Sequence, residues 1–228
     1  INEVAQCLVG TNVTLGIIPV GSGNGLASHL SIPKDIAAAL EIIKSGQHSK
    51  IDAGSINGQY FFSNTGSGFD AQVIKRYAQS NGRTLWAYVK AAVAAAFVFK
   101  PRKAVITCNG ETISARPFLL FVSNSNQMGY NMGLTPMASL SDGLLDVVIV
   151  PELTFFEKLS LGYYVLTHNI SGFKKAQHIT TDTLNIELPE HIFTDVQIDG
   201  EYHNIKTNIL EISILPGALN VFPGKKNA

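Results

Sequence analysis

Residues 15–30 read LGIIPVGSGNGLASHL. An apolar run rich in branched residues (15–20) gives way to a glycine bend and then to a helix-like pattern. Continuous apolar residues, without polar alternation, suit a parallel strand buried on both faces. Gly21, Gly23 and Gly25 allow a tight turn and let the backbone approach a ligand closely. A helix opening straight after such a bend offers free N–H groups and a positive dipole end. The stretch predicts a strand–loop–helix unit of an α/β domain. Gly21, Ser22, Gly23 and Asn24 are its candidate phosphate-binding residues; the alternative is a tight turn that holds no ligand. A dinucleotide loop fits less well. Leu26 stands where a third small residue is needed, and Glu41 falls on the next helix instead of at a strand end.

Upstream, residues 2–8 are helical in pattern, with Val4 and Leu8 four apart. The opening INEVAQCLVG has no Met and reads as mid-helix, so the chain is expected to be cut from a longer one. Downstream, Pro33 and Asp35 restart a helix that places Ile36, Leu40 and Ile43 on one face and ends at Gly46. Residues 1–46 therefore read as the C-terminal part of an α/β nucleotide-binding domain.

After residue 46 the pattern changes. Strands at 50–56 and 59–63 flank Asn57-Gly58, a hairpin dipeptide. Helices are expected at 71–79 and 86–99; the second is alanine-rich, reads as buried and stops before Pro101. Further strands are expected at 104–108, 112–115, 118–123 and 144–150, with a loop over 124–143. Thr154 caps a helix reaching to about His168, and strands follow at 178–188, 194–198, 202–205, 209–215 and 219–222. Closely spaced strands with few helices predict a β-sandwich-like second domain over 47–228, whose last residues are candidates to return to the first domain.

Of the 228 residues 46% are hydrophobic and 15% charged, which excludes a disordered chain. The 17 basic residues balance the 17 acidic ones. No overall basic field exists to recruit nucleic acid, and contact with an anionic bilayer must come from a local patch. No apolar run approaches the ~18 residues of a membrane span, and no signal-peptide pattern is present. Cys7 and Cys108 have no metal-ligand spacing and are expected to be buried. Such usage fits a reducing cytoplasm.

Residues 136–148, PMASLSDGLLDVV, carry Asp142 in a turn and Asp146 at a strand start. A loop carboxylate beside free carbonyls suits a hard divalent cation; the simpler reading is an Asx turn, in which Asp142 bonds its own downstream backbone. Asp199-Gly200-Glu201 is a hairpin turn followed at once by a carboxylate. Glu201 is either a solvated edge residue or a general base over a cleft. His203 lies two residues on and shares its face. His168 and His178 flank Lys174-Lys175. That pair and Arg102-Lys103 are solvated surface or contacts for anionic headgroups.

In this order the segments resemble the catalytic region of bacterial diacylglycerol kinase-like lipid kinases, a family that also includes sphingosine and ceramide kinases. LGIIPVGSGNGLASHL resembles that family's G-T-G-N-D-x-A loop, and GSGFDA (66–71) its second glycine motif. PMASLSDGLLDVV is close to its P-x-A-x-x-x-D-G-x-L-D-V-V motif, IDGE (198–201) to its D-G-E turn, and LPGALNVFPG (215–224) to its ending. The likeness spans nearly the whole chain. It implies an α/β domain like that of NAD kinases followed by a β-sandwich domain, with ATP in the cleft between them. It implies Gly21, Ser22, Gly23, Asn24 and Asn2 on the nucleotide, and Glu201 as proton acceptor. Asp142, with the carbonyls of Ser139 and Leu144, would hold a structural Mg2+. The partners implied are a lipid substrate and the surface of a membrane, with a cytoplasmic location; a homodimer stays open. The family's G-G-D-G-T segment would precede Asn2 and Glu3, so the chain alone is expected to be inactive. Gly25 departs from the family's acidic residue, and Ser22 from its threonine. An NAD kinase and a non-catalytic lipid-binding homologue are the alternatives.

Overall fold

Asn57-Gly58, Asn109-Gly110 and Asp199-Gly200 each place two successive residues in the left-handed region, with φ of 48° and 80°, 50° and 78°, and 48° and 82°. That is the conformation of two-residue turns whose twist matches the strands they join. The structure, a computed structural model, describes residues 1–80, 82, 84–130, 132–167, 169–190 and 192–225; His168 lies outside them. In chain order the elements are α1 (Asn2–Leu8), β1 (Thr14–Leu15), α2 (Gly25–His29), α3 (Ile36–Lys44), β2 (Ser49–Ile56), β3 (Gln59–Phe61) and β4 (Asn64–Gly68). Then come α4 (Phe69–Ala78), α5 (Leu85–Val98), β5 (Ala104–Cys108), β6 (Glu111–Ala115), β7 (Pro117–Ser123), β8 (Leu145–Pro151) and α6 (Phe155–Leu166). The chain ends with β9 (Gln177–Thr181), β10 (Thr183–Glu187), β11 (Thr194–Ile198), β12 (Glu201–Ile205) and β13 (Ile209–Val221).

These strands form two sheets. The first runs β3-β2-β13-β10-β5-β6, with β1 joining β13; the second runs β12-β11-β4-β7-β8-β9. The β1–β13 pair is parallel, and the other pairs are antiparallel. Between the sheets lies the main core, where Ile106, Leu184 and Leu210 meet Leu120, Val147 and Val196. Phe61 is fully buried there, which stabilises the fold by about 2–3 kcal/mol. Its ring lies on Gly54: a Cβ at that position would stand 2.1 Å from the ring's Cζ. A second core joins α1, α2 and α3 to β1 and the end of β13 through Ala5, Leu26, Ala39 and Val221. α6 and Phe173 cover the outer face of the second sheet, and α4 packs on α5 through Val73, Tyr77, Ala91 and Ala95. The mixed α/β architecture with a β-sandwich is thus the one expected.

Several local expectations are corrected. The strand expected at 15–20 pairs only at Thr14–Leu15, because it has one neighbour and Pro19 offers no N–H. The strand expected at 178–188 breaks at Asp182 into β9 and β10, which belong to different sheets. Thr181 Oγ1 donates to the Thr183 carbonyl and accepts its N–H, forming the corner. The two strands expected at 209–215 and 219–222 are one strand, β13, with a register shift between Leu215 and Leu219 that absorbs Pro216 and Gly217. Cys108 is buried but Cys7 is exposed. α5 is not a buried helix: Trp86 is 81% and Phe97 70% exposed. Among the described residues, no helix is long and apolar enough to cross a membrane.

Candidate functional site

The glycine loop is braced from within. Asn24, at φ 52°, accepts the Gly21 N–H at 3.0 Å and donates to the Gly21 carbonyl at 2.6 Å. Asn24 therefore shapes the loop, and the Gly21 N–H is spent inside it. Ser22 stays exposed. α2 has only five residues, so its dipole is weak and an anion here depends on the loop's own N–H groups at Ser22 and Gly23.

The loop is seated on residues 123–130. The Tyr130 N–H donates to the Gly23 carbonyl at 3.2 Å. A Cβ on Gly25 would come within 3.0 Å of the Gln127 carbonyl oxygen and 3.1 Å of the Gly129 nitrogen. The acidic residue of the related motif therefore has no space here unless this floor moves. His29 Nδ1 accepts the Asn126 N–H at 3.1 Å and lies 3.0 Å from Ser125 Oγ. A backbone N–H aimed at Nδ1 means that this nitrogen carries a lone pair.

The Asp199-Gly200-Glu201 turn meets the same floor. Asp199 Oδ1 accepts the N–H groups of Ser63 (2.7 Å) and Asn64 (3.1 Å). Its Oδ2 accepts the Phe62 N–H (2.9 Å) and the Asn2 amide (2.8 Å). Burial pushes the Asp199 carboxyl up from its ordinary value, and these four donors push it back. The Ser63 carbonyl in turn accepts the N–H groups of Asn124 and Ser125. A chain of contacts thus runs from the glycine loop through 125–130 and Ser63 to Asp199. Glu201 stands exposed two residues beyond it, opposite Ile198 in the hairpin. Asn2, expected on the nucleotide, bridges Tyr60 and Asp199 through its amide nitrogen.

The third segment joins through Asp52, which is 2% exposed. Its Oδ2 accepts the Gly143 N–H (2.8 Å), its Oδ1 the Gly217 N–H (2.7 Å), and its carbonyl the Asn124 amide (2.9 Å). Asp142 is exposed and forms the Asx turn, its Oδ1 accepting the Leu144 N–H at 3.1 Å. The cation set expected here, Asp142 with the carbonyls of Ser139 and Leu144, consists of oxygens only, the donor type of a hard cation. Among the described residues no cluster of three His, Cys, Asp or Glu could hold a metal. Asp146 is not part of that set: it is buried and bonds His178 Nε2 at 2.6 Å. Burial pushes its carboxyl up, His178 opposes this and Asp142 adds to it.

Reasoning from sequence missed Asp52, Asn124 and Asp70. Asp52 left a signal, an acid inside an apolar strand. Asn124 Oδ1, Asn126 Oδ1 and Gln127 Oε1 are buried without a hydrogen-bond partner. Leaving such an acceptor unmet costs about 1–3 kcal/mol, so this floor holds acceptors in reserve. Asp70 Oδ2 is likewise unmet, and burial pushes that carboxyl up to about 7 against a bond from Gln197.

A cleft of about 460 Å³ opens where α4 and α5 meet β4 and β11, with Val98, Phe99, Leu120 and Leu188 as apolar walls and Arg76, Lys100 and Arg102 at its edge. Of the residues singled out from the sequence, Gly68 and Arg102 line it, whereas the glycine loop, Asp142 and Glu201 do not. Asp195, which also lines it, opposes Asn204 in the hairpin that Glu201 begins. Asn204 is three residues from Glu201, and that odd spacing turns Asp195 and Glu201 to opposite faces of the hairpin. Against the push of burial, Tyr202, Asn204, Lys75 and Gln72 hold the Asp195 carboxyl below its ordinary value.

The fold and site define a two-sheet β-sandwich protein with a glycine loop and an acid-tipped hairpin on a common floor. Comparison narrows that class. The family described as the YegS C-terminal NAD kinase beta sandwich-like domain matches residues 63–223, and the diacylglycerol kinase catalytic domain matches residues 1–56. The chain belongs to this family of diacylglycerol kinase and YegS-like lipid kinases. It is 27% identical over 209 residues to the diacylglycerol kinase of Bacillus subtilis, covering 89% of this chain and 68% of that one. It is 28% identical over 228 residues to a probable YegS-like lipid kinase of Chromohalobacter salexigens, covering 96% and 71%. All of this chain matches a protein of Synechocystis sp. at 26% identity over 240 residues, but it spans only 53% of that protein. A solved diacylglycerol kinase structure from Bacillus anthracis superposes with a TM-score of 0.67 at 22% identity, over 92% of this chain and 66% of that one. That likeness shows the fold alone.

Proposed function

We propose that the protein is a kinase that transfers the γ-phosphoryl group of ATP to the hydroxyl of a lipid of the diacylglycerol or sphingoid type. The observation that carries this reading is the shared floor, on which the glycine loop, the Glu201 turn and the Asp142 loop all rest through Asp52, Asn124 and Asp199. Ser22 and Gly23 offer N–H groups to phosphate oxygens. The unmet amide oxygens of Asn126 and Gln127 suit donors, and the ribose hydroxyls and adenine amino group are donors. Glu201 takes the proton of the attacking hydroxyl, a role that suits a carboxylate at a rigid turn. Asp142 with the carbonyls of Ser139 and Leu144 would hold Mg2+, which would neutralise charge and stiffen that loop. In phosphoryl transfer the protein's task is positioning and charge neutralisation.

The test is ATP-dependent phosphorylation across a panel of lipids, with NAD as a non-lipid acceptor, by the full-length protein and by its Glu201→Ala variant. Lipid phosphate is the expected product. The variant should lose about 10²–10⁴-fold in turnover, the usual range for a general base. Undiminished turnover removes Glu201 from its role, and NADP as the sole product replaces the lipid reading with NAD kinase.

A further inference from the structure

A glutamine buried in a sandwich strand needs a reason. Each group of its amide must meet a hydrogen-bond partner or cost stability, and an apolar side chain of the same shape packs without that demand. Gln197, on β11, is 2% exposed. Its neighbours Val196 and Ile198 belong to the core between the sheets, so strand alternation turns Gln197 the other way, toward α4. There its amide is fully engaged. Oε1 accepts the Gly200 N–H at 2.9 Å, while Nε2 donates to Asn64 Oδ1 at 2.8 Å and to the Asp70 carboxyl.

The chemistry of the partners fixes which way the amide lies. A backbone N–H can only donate, so the atom that meets Gly200 is the oxygen, and the nitrogen turns to Asn64 and Asp70. Asn64, at the start of β4, is 5% exposed, and Asp70, in the first turn of α4, is 4% exposed. Three buried side chains thus converge on one backbone N–H.

That N–H belongs to the residue before the proposed base. Among the described residues the Glu201 side chain makes no hydrogen bond or ion pair, so its aim is set by the backbone that carries it. The backbone there is the left-handed pair Asp199 and Gly200, at φ 48° and 82°. Asp199 is held by the four donors already described. Gly200 has no side chain, and Gln197 holds its N–H instead. A second grip lies further along the hairpin. Gln72 donates to Asp195 at 2.8 Å, and Lys75 to Tyr202 Oη at 2.8 Å. Asp195 and Tyr202 share the face of Gln197. α4 therefore holds the hairpin from the face opposite Glu201.

We propose that Gln197 is a positioning residue for phosphoryl transfer: oriented by Asn64 and Asp70, it fixes the Gly200 N–H and, through it, the direction of the Glu201 carboxylate. This role rests on the lipid kinase reading, in which Glu201 takes the proton of the attacking hydroxyl.

Gln197→Met keeps the length of the side chain and removes its bonds. The full-length protein and its variants are assayed with ATP and with a short-chain diacylglycerol or sphingosine as acceptor, and folding is checked by circular dichroism. The kcat of Gln197→Met should fall about 10²-fold, the loss that a misplacement of about 1 Å brings. The KM for ATP should not change, because the glycine loop is seated on residues 127–130 and not on the hairpin. In a Glu201→Ala background the same substitution should cost no further turnover, since residues that act as a unit are not additive. Asn64→Ala frees one side of the amide and should lower kcat by less, again without effect behind Glu201→Ala. Full kcat in Gln197→Met overturns the proposal, as does full kcat in Asn64→Ala if only that variant folds. An equal loss with and without Glu201, or a KM for ATP that rises as kcat falls, also overturns it, because Gln197 then supports the fold at large. An unmodified protein that phosphorylates neither lipid removes the kinase reading and this role with it; an active one whose methionine variant keeps full kcat removes the role alone.

Discussion

The side-chain amide of Asn2 donates to Asp199 Oδ2 at 2.8 Å, joining residues 197 positions apart. The same nitrogen donates to the Tyr60 carbonyl at 2.9 Å. The start of the chain and the hairpin that presents Glu201 are thus held as one unit. Any strain on α1 is felt at the turn, two residues from the proposed base.

Asp199→Asn should destabilise the protein. Its two oxygens accept four N–H donors. A carboxamide has one oxygen, so its NH₂ must face two of those donors. The cost is about 1–3 kcal/mol, read as a lower urea midpoint with an unchanged slope. Asn2→Ala alone should cost less. The double variant should cost less than the sum of the two, because the partners share one network. Strict additivity would show that the Asn2 contact contributes nothing.

Asp70 should make stability fall with rising pH. Unfolded, its carboxyl titrates at the ordinary value of 3.8; folded, at about 7. Between these values the folded chain keeps a proton that the unfolded chain has lost. The stabilisation is complete below the lower value and gone above the upper one. At about 1.4 kcal/mol per unit the effect is bounded near 4 kcal/mol. Asp70→Asn keeps a neutral side chain of the same shape. Its denaturation midpoint should change little between about pH 4 and pH 8, and should exceed that of the unmodified protein at the upper end. Parallel pH profiles for the two proteins would rule out Asp70 as the source.

The hairpins were legible because Asn-Gly and Asp-Gly leave the backbone few choices, and the sandwich was legible from strand spacing. The helix caps were legible too: Asp35 accepts the Ala38 N–H at 2.8 Å, and Thr154 with Glu157 forms a capping box. What escaped was long-range. Nothing local marks Asp52 as the partner of Gly143 and Gly217, 91 and 165 residues away. Asp182 did carry a signal of the change of sheet: the apolar alternation shifts phase between Ile179 and Leu184. The exposure of α5 was misread because its alanines bury one face, at Ala91 and Ala95, while its larger apolar residues stay on the other, and composition does not show which face is which. Asn24 and Asn2 were picked out as ligand contacts, while their bonds to Gly21, Tyr60 and Asp199 were not foreseen.

Gly25→Ala should disturb the loop through steric contact alone. Its Cβ would press on backbone atoms at 127–129, and backbone yields less readily than the tip of a flexible side chain. Overpacking of this kind costs about 1–3 kcal/mol. Nucleotide binding, followed by a fluorescent ATP analogue, should weaken as the loop shifts, and Gly25→Asp should weaken it more. Equal affinity in all three proteins would mean that this loop does not carry the nucleotide.

Asn24 offers a way to separate backbone strain from loop bracing. It sits at φ 52°, where a residue with a Cβ but no polar group is strained by roughly 1–2 kcal/mol. Asn24→Ala adds that strain and loses both bonds to Gly21. Asn24→Gly loses the bonds but tolerates the conformation. Stability should therefore fall further in the alanine variant than in the glycine one. Affinity for ATP should fall in both by a similar factor, since in each the Gly21 turn loses its brace. If the glycine variant keeps full affinity, the brace is not needed to present the Ser22 and Gly23 N–H groups, and the loop's shape comes from its seat on residues 127–130 instead.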